Sequence, residues 1–435
     1  MMVLKVELLS EEMMIKPSSP TPPHLKTLKL SFIDQTSPPI FQNYIFFFNH
    51  ATADSSQLLK QSLSKVLTLF YPLAGRIKGN DFIDCSDDGA LWVEARVHGF
   101  LKDVVGNPLM EELEKFLPIE TQNNGNNDSE LLLGVRVNYF LDGGIAVAVC
   151  VSHKIGDGLF LINFVNAWAV TAREGDATAG KIPPPNFGLV SSLFPPTTMD
   201  LSQFGFSPTL GVAREKIVTR RVVFDKEKLA ALKKSAAAES SRVGNPTRVE
   251  ALSAFMWKQF REASRKKSQD ASMKKTLWAA QGVNLRARMK PALPEATFGN
   301  LWSLANTTET SPDDDLVFQL RTSIRETNAE YVEALQNEKG HSEYLRKWHE
   351  RLTGEVKADE ILEFSSWCRF PIYEVDFGWG RPVRACTTTF PCKNLIILMS
   401  TQCGDGIEAW INMGEEDDDI YMGMGAGLCD PIRLI

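Results

Sequence analysis

"GIAVAVCVSHKIGDGLFLINFVNAWAV" occupies residues 144–170. Residues 144–152 form an apolar run rich in β-branched side chains, the pattern of a strand buried on both faces. After Asp157 the apolar spacing turns helical and holds as far as Gly175. A buried strand that leads through a short turn into a helix points to a mixed α/β architecture. It also places His153 at a strand end and Asp157 at a helix start.

The neighbouring segments fit the same class. Residues 3–9, 28–33 and 91–100 read as strands. Leu58, Leu59, Leu63, Val66, Leu67 and Phe70 recur at helical spacing, and Pro72 and Gly75 stop that helix. "KPSSPTPP" (16–23) is neither helix nor central strand, because proline fixes φ and removes a donor. "QNNGNND" (122–128) is a polar loop. Residues 180–212 are rich in Pro, Ser and Thr with little periodicity and form the best linker candidate. Beyond it come a strand and a charged helix over "IVTRRVVFDKEKLAALKKSAAA". The amphipathic helix that follows has Thr247 and Glu250 spaced as a capping box. "LWAAQGVNLR", "LWSLAN", "EFSSWCRFPIYEVDFGWG" and "NLIILMS" suggest further strands, and residues 315–353 a long charged helical stretch.

At 435 residues the chain exceeds what one core normally spans, so about two domains are expected. A net charge of −7 argues against general nucleic-acid binding, which needs a basic face. The seven cysteines are scattered without metal-ligand spacing and read as reduced thiols, so no metal is implied. The first residues meet Glu and Pro early, unlike a signal or anchor. No apolar stretch is long enough to span a membrane. A cytoplasmic monomer without membrane contact is the expectation.

Imidazole titrates near neutrality, so His153 is suited to take a proton. Gly156 and Gly158 would leave room for a ligand, and Asp157 could orient the ring or lock the turn. A histidine that is merely hydrogen-bonded at a strand end is the ordinary alternative. "DFGWG" (376–380) marks a tight turn. Asp376 within it is assigned to structure, as an ion-pair partner for an arginine.

H-x-x-x-D at 153–157 together with DFGWG in the last fifth resembles the BAHD family of plant acyl-CoA-dependent acyltransferases. "LSKVLTLFYPLAGRI" (63–77), "GVNLRARMKPALP" (282–294), "FGN" (298–300) and "SSWCR" (365–369) agree, and the likeness covers essentially the whole chain. The resemblance implies two similarly sized chloramphenicol-acetyltransferase-like domains, 1–179 and 216–435, joined by a crossover loop, 180–215. A solvent channel would run between them with His153 at its middle. Acetyl-CoA would be the co-substrate, a small-molecule alcohol the acceptor, and no cofactor would be bound permanently. His153 would deprotonate the hydroxyl, with no acyl-enzyme.

Further roles follow from the same resemblance. Asp157 would pair with Arg286, or with Arg288, and point away from substrate. Ser365 and Trp367, two apart on a strand, would face the channel, unless Trp367 is plain core. Asn284 and Asn300 would line the channel or fix the domain interface. Thr247, capping its helix, and the nearby Arg248 and Arg242 would meet the CoA phosphates. "TFGNL" (297–301) departs from the malonyltransferase signature. The sub-group suggests acetylation of an alkaloid or a terpenoid such as a limonoid. An aromatic acyl donor, or an inactive binding protein, is the competing reading. A serine hydrolase lacks its G-x-S-x-G elbow, and "GMGAG" (423–427) lacks the dinucleotide pattern. The aromatics of "QTSPPIFQNYIFFFNH" (35–50) would shape an apolar pocket or simply fill a core strand. "GEEDDD" (414–419) reads as a solvated helix start.

Overall fold

The computed structural model describes residues 4–106, 108–120, 131–178, 181–206, 210–267, 276–308, 314–353 and 360–417. The polar loop at 122–128, the glycine cluster at 423–427, Cys429 and the closing segment lie outside these residues.

The run that opens the sequence reading is the strand Ile145–Ser152, and all eight residues are buried. It sits inside a seven-stranded sheet, between Leu133–Phe140 and Phe41–Phe48, antiparallel to both. Ala90–Val97 continues the sheet beyond Leu133–Phe140, with Val6–Leu8 and Met13–Ile15 paired to it. The strand Phe41–Phe48 is buried along its whole length. Its aromatics are therefore core, and only Pro38, Ile40 and Gln42 of this region reach the cavity described below. Helices Ser55–Leu69 and Gly158–Glu174 pack together, and the Trp168 indole donates to Ser62 Oγ at 3.0 Å.

A second, six-stranded sheet runs in the order Ile217–Phe224, Ile407–Gly414, Leu395–Ser400, Glu360–Ser366, Leu277–Asn284, Trp302–Thr308. Glu360–Ser366 is parallel to both neighbours. Strand alternation gives this sheet two distinct faces. Ile396, Leu398, Ala409 and Ile411 share a core with side chains of the helices Lys226–Glu239 and Leu316–Glu326. The intervening Leu395, Ile397, Met399 and Trp410 join the core of the first sheet.

The chain also crosses back. Arg384–Cys386, late in the sequence, pairs with Phe41–Phe48 and so closes the edge of the first sheet. Phe377, Trp379 and Phe390 pack in the first core with it. Sequence position and sheet membership therefore part company in this segment.

Four sequence expectations change on inspection. Of the 28–33 stretch only Leu28 and Lys29 are strand, within Thr27–Lys29. Ser31 and Asp34 form a capping box that starts the helix Phe32–Thr36, so side-chain hydrogen bonds override the alternation. The strand expected over 363–380 stops at Ser366 and gives way to a single helical turn, Ile372–Glu374, after Pro371. The 180–215 segment is no loose linker. It holds the helix Gly188–Leu193, and Val190, Phe194, Leu201 and Phe206 are buried in a third core with Phe32, Leu285 and Leu345. Finally, Asp417 is buried against Lys393 at 2.9 Å, so the described part of the acidic run is not simply solvated. No helix among the described residues is long and apolar enough to cross a membrane.

Glu408 joins the sheets. Its carboxylate accepts from Arg221 Nε at 2.8 Å within the second sheet and from Arg384 Nη1 at 3.0 Å on the returning strand. Breaking a buried pair by removing one partner strands the other charge. Glu408→Gln should lower unfolding free energy by about 3–5 kcal/mol, measured as a lower urea midpoint by circular dichroism.

Candidate active site

The site begins where the central strand of the first sheet ends. The His153 backbone N–H donates to Ile40 O at 2.8 Å, which fixes the start of the turn. Gly156 is forced here by packing, because a Cβ would lie 1.9 Å from the Phe160 ring. The space at Gly156 thus serves Phe160 and not a ligand. Gly158 does border the cavity, where a Cβ would meet Gln42, Phe370 and the Trp367 indole nitrogen at 3.2–3.3 Å.

Asp157 caps the helix Gly158–Glu174, accepting from Phe160 N at 2.9 Å. The same carboxylate receives Arg286 Nη1 at 2.7 Å and Nη2 at 3.2 Å. It also accepts the Leu301 backbone N–H at 3.0 Å. Arg286 is 1% exposed, so the pair is out of bulk water. The remaining guanidinium donors go to Thr297 O, Gly299 O and Asn284 Oδ1. Asn284 Oδ1 also accepts the Arg286 backbone N–H. Arg288 instead donates to Asn284 O. Asp157 has no lone pair left over for chemistry, and the charge is spent on architecture.

His153 is held differently. Its Nδ1 lies 3.1 Å from Asn300 Oδ1. Asn300 Nδ2 donates to His153 O at 2.7 Å and to Asp34 Oδ1 at 2.8 Å. Two acceptors on Nδ2 identify it as the amide nitrogen, so Oδ1 is the acceptor and His153 Nδ1 must carry the proton. Nε2 is left with its lone pair. Burial pushes the imidazole pKa below its usual value, opposed by the Asp157 charge and the Asn300 hydrogen bond. The neutral ring is therefore favoured. Asp34 is anchored by Ser31 N and Oγ at 2.8 and 2.7 Å. Sequence reading missed Asp34, although the S-x-x-D spacing was there to find it.

A cavity of about 170 Å³ lies between the sheets. It is lined by His153, Asn284, Trp302, Ser365 and Trp367 among others, with apolar walls from Ile40, Leu304, Phe390 and Leu395. Trp302 lies beside the imidazole, ring centres 5.3 Å apart. The Trp367 indole donates to Ser365 Oγ at 3.0 Å. This fills a lone pair of the hydroxyl and leaves its proton free to donate into the cavity. The space is smaller than the ~300–1,000 Å³ of most ligand sites, so a polycyclic molecule can insert only one edge unless side chains move. A larger cavity, about 730 Å³, is lined by Leu232, Phe255, Lys258 and Val317, but it holds none of the residues selected from the sequence.

The other selected residues lie away from the cavity lining. Asp376 Oδ1 accepts the N–H groups of Gly378 and Gly380 at 2.8 and 3.0 Å, and both glycines have positive φ. Arg173, on the helix Gly158–Glu174, approaches Asp376 Oδ2 at 3.8 Å. Thr247 and Glu250 close a reciprocal capping box at 2.7 and 3.2 Å. The Thr247 hydroxyl and N–H are thus already used. Arg248 donates to Gly404 O and Asp405 O, and Arg242 stacks over Phe318.

A hydrogen-bonded histidine thus lines a cavity between two mixed sheets. Residues 4–418 match the model of the Transferase family. The chain is 42% identical over 427 residues to stemmadenine O-acetyltransferase of Catharanthus roseus, covering 96% of each chain. It is 41% identical over 429 residues to vinorine synthase of Rauvolfia serpentina, again over 96% of each. Limonoid 7-O-acetyltransferase of Citrus sinensis is 36% identical over 448 residues, 95% of each. The crystal structure of vinorine synthase superposes with a TM-score of 0.80 at 38% identity, covering 96% of each chain. A TRI101 structure from F. sporotrichioides, complexed with coenzyme A and T-2, has a TM-score of 0.70 at 19% identity, over 90% of this chain and 96% of that one. The chain belongs to the Transferase family, the BAHD acyltransferases its motifs resemble. It is an acyltransferase.

Asp157→Asn keeps a cap for Phe160 but leaves the Arg286 cation buried without a counter-charge. A loss of about 3–5 kcal/mol is expected. Adding Arg286→Met should recover part of it, because the second substitution removes the stranded charge. Urea unfolding of the two single variants and the double variant checks this non-additivity.

Proposed function

We propose that the chain transfers an acetyl group from acetyl-CoA to a hydroxyl of a polycyclic plant alcohol, an alkaloid or a limonoid-type terpenoid. The observation that carries this reading is the contact of His153 Nδ1 with Asn300 Oδ1, which leaves Nε2 as the free nitrogen of a residue that lines the cavity between the sheets. The relatives named for stemmadenine and for limonoids support the acceptor class.

His153 Nε2 takes the proton of the acceptor hydroxyl as its oxygen attacks the thioester carbon. The carbonyl π electrons move to oxygen, and the Ser365 hydroxyl donates to the resulting oxyanion. Collapse breaks the C–S bond. The thiolate of CoA takes the proton back from His153, giving free CoA and the ester. Trp367 positions Ser365, and Asn300 positions His153. Asn284 sits between Arg286 and the cavity wall and keeps the second sheet in register with the turn. Arg248 and Arg242, beside the helix capped by Thr247, supply cations for the CoA phosphates.

The test is acceptor-dependent release of free thiol from acetyl-CoA, with alkaloid and limonoid alcohols. His153→Ala should lower kcat by about 10²–10⁴, the usual worth of general-base help. Release that persists in this variant would falsify the assignment of the base.

The pH profile is a second test. The neutral ring is the active form, and its pKa is lowered by burial. Activity is therefore full above that lowered value and falls only as pH drops through it. The acid limb of kcat/KM should lie below 6.5. Asn300→Leu, which frees both tautomers, should cost about 10²-fold in kcat with a small change in KM. An acid limb above 6.5, or an unchanged kcat, speaks against the network.

A further inference from the structure

The buried carboxylates among the described residues have partners, and a half-buried one, Glu363, differs from them. Asp34 is bonded by Ser31 and Asn300. Glu94 receives Ser56, Lys60 and Tyr139. Glu112 pairs with Lys115, Asp157 with Arg286, and Glu408 with two arginines. The Glu363 carboxylate has neither a hydrogen bond nor an ion pair. Its backbone is ordinary strand, donating to Asn394 O at 2.8 Å.

Glu363 lies on the second sheet and lines the cavity. Its exposure is intermediate, and it is part of the cavity wall. It stands two residues before Ser365, so both side chains leave the same face of the strand, about 7 Å apart along it. Around it the lining is uncharged: Pro38, Ile40, Leu304, Cys392 and Leu395. The other charges of the lining, Asp157 and Arg286, neutralise each other. Burial alone raises the Glu363 pKa, with no cation nearby to oppose it. An unpaired carboxyl in such a place is costly, and a purely structural strand position would be better filled by an apolar side chain. The cost is recovered when a ligand brings the missing counter-charge.

We infer that Glu363 selects the acceptor by pairing with a protonated amine on it, so the preferred substrate is a basic polycyclic alcohol such as a tertiary-amine alkaloid. This rests on the acyltransferase reading above and narrows its acceptor class. A charge-assisted hydrogen bond in a dry site is a strong, directional contact. A neutral terpenoid alcohol would instead leave the carboxyl unsatisfied. The amine would anchor one end of the acceptor, leaving its hydroxyl to reach His153, which lines the same cavity.

The test uses matched probes: a polycyclic indole alcohol carrying a tertiary amine, and its lactam, in which that nitrogen is neutral. Binding to the full-length protein is followed by calorimetry, and turnover by thiol release. Wild type should bind the amine at least tenfold more tightly than the lactam. In Glu363→Gln, which keeps shape and removes the charge, the two should bind alike, with the loss confined to the amine. A wild type that shows no preference for the amine, or a preference that survives in Glu363→Gln, overturns the inference. Selective binding of the amine without acetyl transfer to either probe would instead count against the acyltransferase reading, and leave the role of Glu363 standing.

Discussion

The carboxylate of Asp157 holds the working parts of this molecule in place. One oxygen caps the helix that leaves the first sheet, and both engage an arginine that leaves the second. A backbone N–H just before the last strand of the second sheet completes the set. Burying an aspartate and an arginine is expensive unless every donor and acceptor is used. Here every nitrogen of the guanidinium has an acceptor, and the fork spans Thr297 and Gly299 as well as Asp157. The consequence is a fixed distance between the end of one sheet and a loop of the other. The cavity exists because that distance is fixed.

Through this join the second sheet sets the chemistry of a residue on the first. Asn300 directly precedes Leu301, whose N–H the Asp157 carboxylate holds. That contact delivers the Asn300 amide to His153. Asp34 then fixes which way the amide points, and the amide fixes which nitrogen of the imidazole carries the proton. The chain of causes runs from a helix-capping serine, Ser31, to a lone pair in the cavity. Each member is neutral or satisfied, so the histidine is oriented without a carboxylate in direct contact and its ring stays neutral.

Much of this was legible in sequence, because it depends on local signals. The run 144–152 announced a strand buried on both faces, and the apolar helical pattern after Asp157 announced a helix start. The Thr247–Glu250 spacing announced its own capping box, and the structure shows that box closed. What stayed hidden depends on contacts between distant segments. Phe41–Phe48 looked equally like a pocket wall or a core strand, since composition does not say which face a sheet partner covers. The returning strand Arg384–Cys386 is three residues long and pairs across more than 300 positions, beyond the reach of any periodicity. Ser31, the cap that Asp34 closes, was read as part of a strand, because alternation in "LKLSFI" outweighed a capping spacing worth about 1 kcal/mol. Glu363 lay in plain view beside Ser365, but only the three-dimensional lining reveals that it lacks a partner.

The separation between Glu363 and His153 has a physical rationale. A cation bound at the carboxylate forms a pair with little net charge, so its field at the reacting atoms is small compared with that of a lone ammonium. The neutral imidazole, whose charged form burial already disfavours, is then barely disturbed by which acceptor occupies the cavity. In the proposed mechanism, recognition by Glu363 and proton transfer by His153 would be carried by different groups on different sheets. A carboxylate placed against His153 itself would have coupled the two, raising the imidazole pKa whenever the acceptor was absent and lowering it on binding. The arrangement observed avoids that coupling. It leaves the Glu363 end of the cavity free to vary while the Asp157–Arg286 join and the Asn300 amide hold His153 unchanged.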